Sequence, residues 1–169
     1  MRRKDREMDY NFGIYVIDKS QYCTLSSIYK NKPYSIPIST ARVDEYIYIH
    51  GANDGTKAEI FKENPEVQLV FVTDVKVPNS YTKNEIESLK NPHQIISKVF
   101  TTEFASAIVT GKVEECLDED IKILGLGAIC EKYTPNMLEY FDTAIETSLK
   151  RTTVWKIKIN SLTSKKKKL

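Results

Sequence analysis

The sequence predicts an α+β fold in which an antiparallel sheet closes into a small barrel with helices set to one side. Three observations predict it. Short stretches of period-two apolar alternation between residues 22 and 50 are separated only by turn-forming residues. Helical patterns gather in residues 118–149 instead of alternating regularly with strands, which argues against a doubly wound dinucleotide-binding domain. The alternating segment TTVWKIKI at 152–159 then returns the chain to the sheet.

Residues 9–20 are ambiguous on pattern alone. Phe12, Tyr15, Val16 and Lys19 fit a helical stripe, whereas Ile14–Ile17 could extend. Tyr22–Tyr29 alternates and is rich in strand formers, and Lys30-Asn31-Lys32-Pro33 reads as a turn. Tyr34–Ser39 and Glu45–His50 follow as short strands, with Pro37 most at ease on a sheet edge. Thr56–Glu63 has helical character and is stopped by Pro65; Val67–Val72 is almost wholly apolar and reads as a central strand. Residues 74–98 contain Pro78, Pro92, Asn79, Asn84 and Asn91, so this is the least regular part, with a short helix near Lys83–Leu89. A connection of that length often serves as a lid, and Tyr81 or Phe100 could stack there on a planar substrate. Thr101–Cys116 predicts a long strand with a bulge or bend at Gly111. Asp118 caps a helix carrying Ile121, Leu124, Ala128 and Ile129, in which the glycines allow close packing. Thr134-Pro135 starts another helix, with Met137, Leu138, Phe141, Ile145 and Leu149 as its apolar face.

The length of 169 residues suits one domain, and a composition of 41% hydrophobic and 28% charged residues is that of an ordinary globular chain. A net charge of +2, much of it from Lys165–Lys168, is too small to call for a nucleic-acid partner, and the lysine run reads as a solvated tail. No apolar stretch approaches the roughly 20 residues that span a bilayer, so no membrane partner is expected. The charged start MRRKDREMDY lacks the apolar segment of a signal peptide. Three widely spaced cysteines without a CxxC pair predict free thiols and a cytoplasmic protein, and two histidines are too few for a multi-histidine metal site; no metal is expected.

One segment carries chemistry. In IYIHGANDGTKAEIFKENPEV, residues 47–67, a strand stops at His50-Gly51-Ala52, crosses a small-residue turn and enters a helix beginning at Thr56-Lys57. Unpaired amides at a helix start favour an anion, small residues let it approach the backbone, and Thr56 and Lys57 add a hydroxyl and a full charge. A plain strand–turn–helix connection with a surface lysine has the same composition, and the residues alone leave both open. His50, at the strand end, reads equally as a structural residue or as a proton carrier.

Taken with MRRKDRE at the start, PYSIPIS at 33–39, CEKYTP at 130–135 and the late VWKIKINSLTSKKKK, this segment makes the chain resemble the nitroimidazole-resistance branch of the pyridoxamine phosphate oxidase-like split-barrel flavoproteins. The resemblance covers nearly the whole chain except residues 75–98. It implies a six-stranded antiparallel split barrel of residues 1–160, a basic tail at 161–169, a helix at 9–20, and FMN held at the interface of a homodimer. By that resemblance Thr56 and Lys57 bind the FMN phosphate, Gly51 and Ala52 bring backbone close to it, and Ile36, Pro37, Ile38 and Ser39 line the isoalloxazine. Ser106 and Ala107 complete the pocket from the same or the partner subunit, and His50 lies near the ring as a proton donor. The family often has two basic residues where this chain has Thr56-Lys57. The implied activity is FMN-dependent electron transfer from NAD(P)H to a small organic acceptor such as a nitro-aromatic. A flavin carrier or sensor with little turnover shares every one of these features. Pyridoxamine phosphate oxidation would need a second phosphate site, for which no further Arg/Lys cluster is present. A nucleic-acid barrel would need a basic face with interleaved aromatics, and Tyr29-Lys30 with Lys32-Pro33-Tyr34 looks more like a hairpin turn.

Overall fold

Three short elements precede the first hairpin: a 3-10 turn (Lys4–Arg6), a two-residue strand β1 (Glu7–Met8) and the helix α1 (Tyr10–Lys19). The Asp9 side chain accepts from the Phe12 amide at 2.7 Å, satisfying an open donor of the first turn and settling 9–20 as a helix. Gly13, Val16 and Ile17 form its buried face. The computed structural model describes residues 2–77, 81–91 and 93–168; Pro78, Asn79 and Pro92 lie outside the described residues.

Strands β2 (Cys23–Tyr29) and β3 (Lys32–Ile38) pair antiparallel across Lys30-Asn31, both in the left-handed region at φ 48° and 57°, the conformation that matches a tight turn to the twist of its strands. Three-residue β4 (Ala41–Val43) pairs with β5 (Tyr46–Ala52), which runs into α2 (Thr56–Glu63). Strand β6 (Glu66–Lys76) alternates with Val67, Leu69 and Phe71 inward. Beyond it come the short helices α3 (Lys83–Glu87), closed by a Thr82–Glu85 capping box, and α4 (His93–Val99), for which the sequence gives no clear sign. Strand β7 (Glu103–Glu115), helix α5 (Glu119–Tyr133) capped by Asp118, helix α6 (Phe141–Ser148) and strand β8 (Thr152–Lys167) complete the chain.

The sheet runs β3-β2-β6-β7-β8-β5-β4, with β1 on β8, and every pairing is antiparallel. It is an open split barrel and not a closed one: β3 and β4 are its edges. It has eight strands where six are expected. The six strands of seven residues or more are the expected ones, and the surplus is β1 and β4, too short to leave an alternating pattern in the sequence. Pro33 and Pro37, which cannot donate to a ladder, both lie on the edge strand β3.

Two further expectations are corrected. Residues 161–167 are not a solvated tail but the second half of β8, paired to Phe104–Thr110 of β7. Ser164 is buried and donates to the carbonyls of Met8 and Asp9, Leu162 packs on the core, and the Lys166 ammonium lies over the Phe12 ring on the same side; backbone pairing and these contacts outweigh the composition. The helix expected after Thr134 is broken into a 3-10 turn (Pro135–Tyr140), α6 and a second 3-10 turn (Leu149–Arg151). Met137 and Leu138, expected on its apolar face, are exposed.

The main core joins Val16 and Ile17 of α1 to the inward residues of β2, β5, β6, β7 and β8, with Phe61 edge-on to Trp155. A smaller cluster of Ala41, Tyr48, Cys116, Ile129 and Val154 fixes α5 to the outside of β5 and β8. There Gly125 lies so close to the Tyr48 ring that no side chain fits. Gly111 sits at the register shift between β7 and β8, against the Lys158 carbonyl oxygen. Replacing Gly111 with Ala is expected to cost about 1–3 kcal/mol as overpacking against backbone. Gly127→Ala, whose new methyl would find its nearest neighbour, Phe141, at 3.6 Å, is expected to be neutral or stabilising by up to about 1 kcal/mol. Urea denaturation midpoints of the two variants check this pair.

Candidate functional site

Strand β5 delivers the turn and β8 holds it. Gly51 and Ala52 pair with Thr153 and Thr152, and Asn53 continues the tie beyond the strand. Its amide donates to the Lys150 carbonyl at 3.0 Å and its oxygen accepts from Thr153 Oγ1 at 2.9 Å. Gly55, at φ 122°, then turns the chain into α2, a conformation open to glycine and strained for other residues. The first helical bonds run from Ala58 and Glu59 to the Gly55 carbonyl. Gly55 supplies no side-chain cap, so the amides of Thr56 and Lys57 keep the open donor capacity of a helix start.

These amides border a recess of about 380 Å³, lined by Tyr34, Ile36 and Pro37 from β3 and by Ala52, Asp54, Gly55, Thr56 and Lys57 from the turn. Its size falls within the range of roughly 300–1,000 Å³ typical of small-molecule sites. One wall is apolar and the other is rich in backbone donors. Asp54 is the acidic exception.

Lys57 is half-buried. Its Nζ donates to the His50 carbonyl at 3.2 Å and stands 5.9 Å from the centroid of the Trp155 ring. Burial lowers its pKa from the ordinary lysine value, since the charged form has lost hydration. A side chain at Gly51 would begin 2.7 Å from Lys57 Nζ and 3.3 Å from Trp155, so the glycine makes room for the ammonium. His50 is an exposed residue on the face opposite the inward Ile49, yet desolvation of its ring, and after it the Lys57 charge, lower its pKa.

The residues predicted for the site separate into groups. The structure brings Ile36, Pro37, Ala52, Thr56 and Lys57 to one recess, with Gly51 and His50 immediately behind it. Ile38 turns inward to the core, and Ser39 lies on a neighbouring depression with Asp18, Lys132 and Tyr133. Ser106 and Ala107, on β7, are buried in their own chain and do not line the recess; Ala107 points into the core. Nor do the described residues of 75–98 reach it. Tyr34 and Asp54 were not anticipated. Tyr34 shares its strand face with Ile36 by period two, which is the signal that locates it.

Among the described residues no group of His, Cys, Asp and Glu could hold a metal, and no helix is long and apolar enough to cross a membrane. The three cysteines are free, Cys23 and Cys116 buried and Cys130 half-buried; burial pushes the Cys23 thiol up to about 12, which keeps it protonated and inert.

The fold is an open antiparallel split barrel in which an uncapped helix start and a lysine face an edge strand across one recess. The family model of pyridoxamine 5'-phosphate oxidase matches residues 14–166, and the chain belongs to that family. Solved structures share the fold at low identity. A candidate 5-nitroimidazole antibiotic resistance protein of Bacteroides thetaiotaomicron is 21% identical, with a TM-score of 0.71 over 94% of this chain and 85% of its own. The flavocytochrome Anf3 of Azotobacter vinelandii is 17% identical, with a TM-score of 0.77 over 100% of this chain and 72% of its own. An FAD- and haem-binding protein of Mycobacterium smegmatis is 16% identical, with a TM-score of 0.74 over 97% and 74%. No curated protein matches the sequence significantly.

The coupling between Lys57 and His50 is measurable. Lys57→Met removes the repulsion and is expected to raise the His50 pKa without restoring the full value of about 6.5, because desolvation remains. The depressed pKa also has a stability consequence. Between the ordinary histidine pKa and the lower folded one, the unfolded chain binds more protons, so stability falls as pH falls through that window. Imidazole NMR titrations of the wild type and Lys57→Met check the first point, and urea midpoints from pH 7.5 downward, compared with His50→Gln, check the second.

Proposed function

We propose that the protein binds FMN as a homodimer and acts as a reductase, carrying electrons from NAD(P)H to a small organic acceptor of the nitro-aromatic kind. One observation carries the cofactor assignment. Within a family whose substrate and cofactor are phosphate esters, the uncapped start of α2, the Thr56 hydroxyl and the desolvated Lys57 ammonium converge on one recess beside an edge strand. The residues fit a phosphate there. Two backbone amides and a hydroxyl supply donors, and a lysine with lowered hydration loses little by exchanging a carbonyl partner for an anion. FAD-binding relatives in the fold and the resistance protein of Bacteroides thetaiotaomicron support the flavin and the acceptor class.

When bound, the flavin supplies the redox chemistry. The chain positions and protects. Ile36, Pro37 and Ile38, with Ser39 at the strand end, would offer edge backbone and apolar contact to the ring system. Gly51 and Ala52 allow close approach, and Ser106 and Ala107 would complete the pocket from the second copy. His50 is the proton carrier nearest the turn. Its lowered pKa leaves it mostly neutral at pH 7, so it acts there as a hydrogen-bond donor, and donation of a full proton grows as the pH falls. The cytoplasm, where NAD(P)H is abundant, is the compartment that suits this activity.

Absorbance and Trp155 fluorescence titrations with FMN test the assignment. The wild type should perturb the flavin spectrum and quench the indole, since Lys57 lies between Trp155 and the recess. Lys57→Ala should weaken binding by about tenfold or more, the value of one charge-assisted bond, with an unchanged circular dichroism spectrum. Unaltered affinity in that variant would remove the phosphate assignment. Anaerobic bleaching of the bound flavin by NAD(P)H separates a reductase from a carrier or sensor, which would bind without bleaching. Sedimentation equilibrium tests the dimer.

A further inference from the structure

The net charge of +2 conceals an uneven distribution. Pairing of β1 with β8, Glu7 opposite Lys165 and Met8 opposite Ser164, sets the basic start of the sequence beside the lysine run. Arg2, Arg3, Lys4, Arg6 and Lys165–Lys168 outweigh Asp5, Glu7 and Asp9 by five charges, so the rest of the chain is net −3. The acids are engaged locally, Asp5 with Arg3 and Glu7 with Lys4. Among the described residues no carboxylate lies within 4.0 Å of Lys165–Lys168.

Apolar groups surround these cations. Lys165 Nζ lies 5.1 Å from the Phe104 ring and Lys166 Nζ 5.4 Å from Phe12. In the sheet, Phe104 stands opposite Lys167, and Glu103 opposite Lys76 at the end of β6. Next to Lys76, Val75 and Val77 are 64% and 71% exposed, and Phe100, just before β7, is 80% exposed.

We propose that this end of the barrel is a peripheral docking surface for an anionic lipid bilayer. Clustered lysines attract acidic headgroups additively, and projecting aliphatic side chains enter the interfacial layer beside them. Nucleic acid is the less suitable partner. Val75 and Val77 cannot stack on bases, the rings of Phe12 and Phe104 already have lysines over them, and Phe100 is a single exposed ring where strand binding stacks successive bases on several. The surface needs no spanning segment, in keeping with the absence of a long apolar helix among the described residues.

Flotation of the full chain with vesicles tests this. The wild type should float with phosphatidylcholine vesicles containing about one-third phosphatidylserine, remain unbound with pure phosphatidylcholine, and be released by high salt. Glutamine at all four of Lys165–Lys168 should lower the partition coefficient about a hundredfold or more. The double variant Arg2→Gln/Lys168→Gln changes only residues outside regular elements and should lower it about tenfold with folding undisturbed. Val75→Ser/Val77→Ser should weaken binding at unchanged salt dependence. Equal partition onto neutral vesicles, or partition unmoved by the charge variants, would overturn the proposal. So would a protein that ignores anionic vesicles while binding a single-stranded oligonucleotide, which would assign the surface to nucleic acid.

Discussion

The architecture depends on the two-sided pairing of β8. Over Trp155–Lys167 its partner on one side is β7; on the other it pairs with β5 through Lys158 and then with β1 at Ser164 and Lys165. Among the described residues no other strand joins β5 to the β2–β6–β7 part of the sheet. The turn after β5 is therefore held from one side by β8, while α2 is tied directly to the β2–β3 hairpin by Tyr29 donating to Glu59 and the Lys30 amide donating to Glu63. The exchange of partners needs a local irregularity. The register with β7 shifts where the β5 pairing ends, opposite Gly111, and the Lys158 carbonyl occupies the space a side chain there would take. Asn53 extends the same dependence into the turn by bonding to Lys150 and Thr153, at the entry to β8.

Much of this could be read from the sequence because it is local. The β2–β3 hairpin, the inward alternation of β6, the Asp118 cap and the glycine bend in β7 each follow from residues within a few positions of one another. The failures are equally specific. Strands β1 and β4 exist because β8 and β5 offer them backbone partners, and two or three residues carry no periodicity of their own. The lysine run hides a strand because exposed residues outnumber the inward pair, Leu162 and Ser164, whose partners lie about 150 residues away in sequence. In the site, the contiguous turn was legible, while the contribution of Ile36 and Pro37 came only through family resemblance. Tyr34 and Asp54 escaped because the opposed walls of the recess come from different elements.

The site's electrostatics reflect a balance between desolvation and partnership. Lys57 is held by one carbonyl and an aromatic face, neither of which carries a compensating charge, so burial of its ammonium lowers its pKa unopposed. His50 sits within the field of that ammonium and is discouraged from taking a proton of its own. An anion beside Lys57 would relieve both, raising the lysine pKa directly and the histidine pKa by cancelling its repulsion. Occupancy of the recess and the protonation of His50 are thus linked, although His50 itself does not line it. Asp54 opposes the same anion from the rim, which places the burden of binding on backbone donors that cannot be titrated away.

The recess also explains why a second copy of the chain belongs in the functional proposal. Its β3 wall is an edge strand, with Pro37 exposed and no neighbouring strand beyond it. The turn forms the opposite wall, and none of the described residues of 75–98 covers the space between. A planar ring system resting on β3 would have one face on protein and the other in water. Water around a redox ring lets reactive intermediates and protons escape, so a site of this kind works only when its open side is closed. Among the described residues nothing in this recess supplies that cover, and the second copy in the functional proposal is what would close it.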